Sequence, residues 1–407
     1  MAGPGAYSFG DEEKKEVMDV LSSGYLSRYG RLNNPDFKHK VYSLEQEFSD
    51  YVRVQHSIAV SSGTNALLIA LLALGLKEGD EVLVPGYTFV ASISSIIYAR
   101  ATPVLVEVDK SLTIDPIDLE KKITKKTKAI MPVHMLGNPC NMDTIMKIAN
   151  HYNLLVIEDG CQAAGGSYKG HCLGTIGNIG AFSLNQHKNI TAGCGGLLTT
   201  NDDTLYERAF AIYDQGHKPN RCGKEVGERS LIGLNFQINE LTGAVALAQV
   251  RKLGSMLITL RKNKIKLKDK LRSIPGIDFR IINDEQGECA TMLTIIFETK
   301  EMAEAVSQQL GNNTLSNSGW HVYSNMEQIA NHKTPVEGWS HPSRYSSKGD
   351  LPQTDDILSR SMNISVGVVD EGLGSAFGIN IHSNEIDIEH IADKFIKACL
   401  SYINQQR

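Results

Sequence analysis

Residues Leu154-Leu155-Val156-Ile157-Glu158-Asp159-Gly160-Cys161-Gln162 join an unbroken apolar run to two carboxylates, a glycine and an amide. A strand that is apolar at every position has both faces covered, which is the habit of parallel sheets flanked by helices. Similar runs recur at 57–60, 81–84, 103–108, 128–133, 179–184 and 196–200, and helical periodicity fills the gaps at 64–74, 88–99, 142–152 and 203–213. This alternation predicts an α/β fold: a mostly parallel, seven-stranded sheet flanked by helices. A longer helical stretch over 237–274, rich in Ala, Leu, Lys and Arg, leads into shorter strands and helices and a Gly/Ser/Pro-bearing loop near 334–353. The expected division is a large domain over 1–260, with an N-terminal helical arm, and a smaller C-terminal α+β domain over 261–407.

The chain has 407 residues, 42% of them hydrophobic and 21% charged, so it buries enough apolar surface to offset its ordering entropy and disorder is excluded. Its 41 Lys and Arg against 46 Asp and Glu give a net charge of −5, which argues against nucleic acid as a partner. The basic residues from Lys252 to Lys270 suit the solvated face of a long helix. No apolar stretch is long enough for a membrane span and the N-terminus lacks the pattern of a signal peptide, so a cytoplasmic location is expected. Seven scattered cysteines, with no Cys-x-x-Cys pair or zinc-like His spacing, predict reduced thiols and no metal.

Ligands of open α/β sheets sit beyond the carboxyl ends of the strands, and four such ends carry polar chemistry. Ser61-Ser62-Gly63-Thr64-Asn65-Ala66 suits a phosphate cradle at a helix N-terminus or a plain N-cap. Asp159 with Gln162 suits a protonated heteroaromatic nitrogen and a neighbouring phenolic oxygen, or again a cap. Lys188, between the strand ending at Leu184 and Gly193-Cys194-Gly195-Gly196, suits a desolvated nucleophilic amine or an exposed loop lysine. Phe89, after Pro85-Gly86-Tyr87-Thr88, suits a ring stacked on a planar cofactor or a core residue. Together these are the parts of a pyridoxal phosphate (PLP) site.

From about residue 8 onward the chain resembles the DegT/StrS-type sugar aminotransferases, a family of fold-type-I PLP enzymes. The resemblance lies in SSGTNAL (61–67), VPGYTFVAS (84–92), EDGCQAAGGSYKG (158–170), FSLNQHKNITAGCGG (182–196) and GLNFQINELTGAVALAQ (233–249). It implies that Lys188 forms the Schiff base with PLP and serves as general base and acid, that Asp159 pairs with the pyridine nitrogen and that Gln162 meets the ring hydroxyl. Phe89 would stack on the ring, and Gly63, Thr64 and Ser183 would hold the phosphate. Asn235 would reach the phosphate of a neighbouring subunit, which implies a homodimer with shared sites. The implied reaction moves an amino group from glutamate or glutamine to a keto or aldehyde sugar in bacterial amino-sugar biosynthesis.

Within the family, LGTIG (173–177), IGLNFQINEL (232–241) and GWHVYSNMEQI (319–329) are similar to transaminases acting at C8 of a 3-deoxy-octulosonate; a nucleotide-linked sugar is the other acceptor class. His321, Tyr323 and Asn325 are then candidate substrate contacts, against ordinary packing. Two positions depart from the family pattern: Cys194 stands where Glu is usual, and Gln237 where Arg is usual. Some relatives replace the lysine by His and catalyse dehydration, and here His187 precedes Lys188. Counting from Ser183 and Gly193 puts Lys188 at the Schiff-base position. The rival functions are a PLP-dependent dehydratase or other non-transaminating enzyme and a PLP-binding regulatory protein. Cys161 and Cys194 suit small packing residues, and His217 either the site mouth or a surface turn.

Overall fold

The apolar runs of the first 200 residues form one seven-stranded sheet, in the spatial order His56–Val60, Gly196–Thr200, Ile179–Ser183, Leu155–Asp159, Thr127–Ile130, Glu81–Pro85 and Thr102–Val106. Strand Gly196–Thr200 runs antiparallel to both neighbours. The remaining pairings are parallel. This computed structural model describes residues 2–31, 33–219, 231–334 and 343–406; Cys222 and residues 335–342 of the loop read at 334–353 lie outside them.

Side chains alternate across a strand, and that alternation divides the interior in two. Ala59, Leu83, Val156, Phe182 and Leu197 face one core, shared with helices Lys40–Val52 and Glu240–Leu271. Their chain neighbours Ile58, Val82, Ile157, Ala181 and Leu198 face the other, under helices Gly63–Ala73, Val90–Tyr98 and Asp203–Tyr213. Helix Gly63–Ala73 is apolar nearly all round because sheet and other helices enclose it. Asn141, Asp202 and Asn239 cap their helices by accepting backbone N–H bonds, which sets the N-terminal boundaries.

Glu240–Leu271 spans 32 residues, about 48 Å, and residue 260 falls within it. Several of its basic residues are partly exposed and also paired: Arg251 meets Glu16 and Glu47 on the N-terminal helices, and Lys270 meets Glu389 on the C-terminal helix Glu385–Gln405. Lys264 is buried against Glu288, and burial lowers its pKa to about 8. Beyond this helix a three-stranded antiparallel sheet, Ile277–Phe279, Met292–Phe297 and Ser361–Ser365 with the second strand central, packs under helices Lys300–Gln309 and Glu385–Gln405. Among the described residues no helix is long and apolar enough to cross a membrane.

Phe182 is fully buried and meets Phe48 edge to face at 5.1 Å between ring centroids. Gly160 and Gly174 press against the same ring so closely that a Cβ on either would collide with it. Phe182→Ala should cost about 3–5 kcal/mol, read as a lower urea midpoint at unchanged slope. A loss below about 1 kcal/mol would mean that the ring is not the keystone of this face.

Candidate active site

The carboxyl ends of the parallel strands open into a cavity of about 640 Å³. Gly63, Thr64, Phe89, Asp159, Gln162, Ser183, Lys188 and His321 all line it, as do Cys161 and Cys194. Three other candidates lie elsewhere. Asn235 is exposed on the outer surface, its Oδ1 accepting from the Gln237 amide at 3.0 Å. Tyr323 is buried, its hydroxyl donating to Asp355 and accepting from the Leu351 amide. Asn325 donates to the Ser316 carbonyl at 2.9 Å. His217 closes a turn on the Asp214 carbonyl and does not line the cavity.

At one end of the cavity stands the N-terminus of helix Gly63–Ala73. Ser62 is the N-cap, its Oγ accepting from the Asn65 amide at 3.0 Å. The cap leaves other donors unused: the Gly63 and Thr64 amides and the Thr64 hydroxyl take no partner from the described residues. Such free first-turn donors, with the positive end of the helix dipole, bind phosphate. Gly63 is obligatory because a Cβ there would lie 2.8 Å from Ser183 Cβ and 2.9 Å from Cys161 Sγ.

Asp159, 3% exposed, ends the central strand. Its Oδ2 accepts from Ser92 Oγ at 2.6 Å and its Oδ1 from the Cys161 amide at 3.1 Å. Since the one Ser92 hydroxyl proton goes to Asp159, Thr88 is the donor in the 2.7 Å contact between Thr88 and Ser92. Behind this strand end, buried Glu158 accepts from the Gly174, Ile176 and Gly177 amides, and His134 Nε2 lies 3.0 Å from its Oε2. Asp159 is thus held in one orientation by groups that all donate to it or to its neighbour.

Burial holds the Lys188 amine below the usual lysine range, while nearby Cys161, Asp159 and Asp370 act in the opposite direction. His187 Nδ1 lies 3.6 Å from Asp370 Oδ2, on the wall supplied by the C-terminal part of the chain. His321 stands on the same wall, its Nδ1 3.1 Å from the Gly372 carbonyl, so that nitrogen carries the proton and Nε2 keeps its lone pair. Burial, then the Lys188 charge, lowers its pKa to about 3, which leaves the ring neutral. Phe89 packs against it, the ring centroids 5.3 Å apart.

Gln162 Oε1 accepts from the Leu136 amide at 2.9 Å, which leaves its NH₂ as the donor. Leu136 has left-handed backbone, φ 55° and ψ 30°, a conformation that costs a non-glycine residue roughly 1 kcal/mol. Sequence reasoning missed Asp370 and the Met135–Gly137 turn. Asp370 was open to discovery, since it ends the largely apolar segment 364–369, interrupted by Ser365 and Gly367, as a carboxylate also ends the run at 154–157. The turn carries no such local pattern.

Helix N-terminus, buried carboxylate, amide, aromatic and desolvated lysine at the strand ends of a seven-stranded sheet define a PLP-binding α/β enzyme fold. The donor set fits that cofactor: free amides for phosphate, an oriented carboxylate for the pyridine nitrogen and an amide NH₂ for the ring hydroxyl. Residues 8–369 match the DegT/DnrJ/EryC1/StrS aminotransferase family, and the chain belongs to it. GDP-perosamine synthase of Caulobacter vibrioides is 39% identical over 246 residues, 60% of this chain and 63% of that protein. GDP-perosamine synthase of Escherichia coli O157:H7 is 40% identical over 252 residues, 62% and 66% of the two chains. The chain spans less than two thirds of the length of either relative. An aminotransferase structure from Psychrobacter cryohalolentis superposes with a TM-score of 0.79 at 27% identity, covering 98% of both chains.

Asp370 is one of the groups that raise the Lys188 pKa against burial, so Asp370→Asn should lower it further. The pH profile of PLP addition to the cofactor-free chain should shift to lower pH. A profile that stays put or moves up would show that Asp370 does not act on the amine.

Proposed function

We propose that this protein is a PLP-dependent aminotransferase that moves an amino group from glutamate or glutamine to a keto or aldehyde sugar. The observation that carries it is the position of Lys188 among Asp159, Cys161 and Gln162 in one cavity, with His187 turned to Asp370. That arrangement favours a lysine-based over a histidine-based site. PLP, when bound, supplies the electron sink that stabilises a carbanion beside nitrogen.

In this proposal the protein's own groups do the rest. The amides of Gly63 and Thr64, with the hydroxyls of Thr64 and Ser183, bind phosphate. Asp159, aimed by Ser92 and the Cys161 amide, keeps a proton on the pyridine nitrogen, and the Gln162 NH₂ donates to the ring oxygen. Phe89 covers the ring. Lys188 Nζ, desolvated and therefore more easily neutral, would move a proton off Cα of the donor in one half-reaction and onto the acceptor carbon in the other, giving up within each half-reaction the proton it takes. The cofactor belongs to the unit 1–260, and the unit 261–407 adds His321, Trp320 and Asp370 at the acceptor side.

Hydroxyl recognition at that wall suits a sugar, because a neutral imidazole and a carboxylate both accept hydrogen bonds. Lys188 is the only lysine or arginine among the described residues lining the cavity, so in this proposal the anionic part of an acceptor would be met by groups beyond that lining. A C8-oxidised 3-deoxy-octulosonate, carboxylate remote from C8, meets that condition, and so does a nucleotide-linked keto sugar. L-glutamate or L-glutamine alone should discharge the visible band of the PLP-loaded protein, since ping-pong chemistry needs no acceptor for the first half. If no amino acid discharges it, a reaction other than transamination is the better assignment. Either acceptor should then restore the band.

The proposal includes a homodimer with shared sites, supported by the exposed Ile232 and Leu234 beside Asn235. Mixing Lys188→Ala with Asn235→Ala chains should regenerate one intact site per heterodimer, and activity should return on subunit exchange. Verified heterodimers that stay inactive would put both residues of one chain in that chain's own site and overturn the shared-site arrangement.

A further inference from the structure

We propose that Arg280 is a positioning residue for the cofactor: it holds the Met135–Gly137 turn from behind, and the turn in turn aims Gln162 at the ring. The inference rests on the assignment of PLP to the cavity, with Gln162 facing the ring oxygen. Arg280 is 3% exposed and, among the described residues, makes no ion pair. Its guanidinium instead donates through Nη1 to the Met135 carbonyl at 3.2 Å and through Nη2 to the Leu136 carbonyl at 3.1 Å. Thr291 Oγ1 donates to the Leu136 carbonyl as well, at 3.3 Å, and the Cys289 amide to the Gly137 carbonyl at 2.9 Å.

These contacts come from one end of the three-stranded sheet: Arg280 follows strand Ile277–Phe279, and Cys289 and Thr291 precede strand Met292–Phe297. On its other side the turn contributes Leu136 to the cavity lining, and the Leu136 amide donates to Gln162 Oε1 at 2.9 Å. Left-handed backbone at a leucine persists only where its surroundings enforce it. A buried guanidinium is costly unless its donors are used, and here two of them are spent on the carbonyls that flank this residue. Relaxation of Leu136 would turn its N–H away, free the Gln162 amide to rotate and take the NH₂ donor off the ring oxygen. Arg280 thus acts through Leu136, which lines the cavity, and does not line the cavity itself.

The test is a double-mutant cycle on PLP binding to the cofactor-free chain, followed by the visible band and by intrinsic fluorescence. Arg280→Met and Gln162→Leu should each weaken PLP binding by about ten-fold, the scale of one lost hydrogen bond to a charged group. The double variant should be no weaker than about the same ten-fold, because both changes remove one interaction. Arg280→Lys, with a point charge in place of the fork, should recover part of the loss. Wild-type affinity in Arg280→Met, or losses that multiply to about a hundred-fold in the double variant, would overturn the positioning role. Should Arg280→Met fail to fold, Thr291→Val removes one donor from the same carbonyl, and its cycle with Gln162→Leu decides by the same criterion. A wild-type chain that takes up no PLP overturns the cofactor assignment together with this proposal, whereas uptake without coupling overturns the positioning role alone.

Discussion

Helix Gly63–Ala73 meets the strand ends through the bare backbone of Gly63, and the site depends on that closeness. A Cβ at Gly63 would reach Ser183 and Cys161, and one at Gly196 would fall 2.6 Å from the Ser62 carbonyl. Bare backbone at both points brings the first-turn amides within the same cavity as Asp159 and Lys188. Moving the helix back by the width of one methyl group would separate the phosphate donors from the carboxylate, and one cofactor could no longer touch both. Electrostatics of the site are built on this steric condition: positive dipole at one end, oriented carboxylate at the other.

The lysine loop is clamped in the same manner by backbone. The Gly3 amide donates to the Gln186 carbonyl and the Gly5 amide to that of Lys188, at 3.1 and 3.4 Å. A Cβ on Gly3 would stand 2.4 Å from the His187 carbonyl carbon. Ala2 also bridges Val369, next to Asp370, so one short N-terminal segment ties the lysine loop to the loop that carries the facing carboxylate. Lys188 sits on the loop so clamped, and burial acts on its side chain. Its amine is kept below the ordinary range by what surrounds it, while Asp370 and Asp159 limit the shift.

Much of this was legible along the chain because it is local. Short, mostly apolar and β-branched runs mark buried strands when turn signals bound them, and all seven strands fall where such runs stand. Capping residues mark helix starts at Asn141 and Asp202 for a reason of equal locality: the side chain bonds an amide two or three residues on. The strand-end motifs with Gly63, Asp159, Gln162 and Lys188 belong to the same class, since a parallel sheet delivers its strand ends to one edge by construction.

What the sequence by itself determined, then, is the order of strands and helices, the large sheet and the residue types waiting at its carboxyl edge. Only the tertiary structure decided which of those residues share a cavity and what holds them. Asp370 joins Lys188 from 182 residues further along, and Arg280 reaches the Leu136 carbonyl across 144 residues, separations over which no periodicity or spacing rule acts. Tyr323, two residues from His321, is turned instead to Asp355 and Leu351. Local pattern specifies the conformation of a segment because its hydrogen bonds close within or beside it. The partner of a buried guanidinium or carboxylate is set by how whole elements pack, and the packing exists only after the chain has folded.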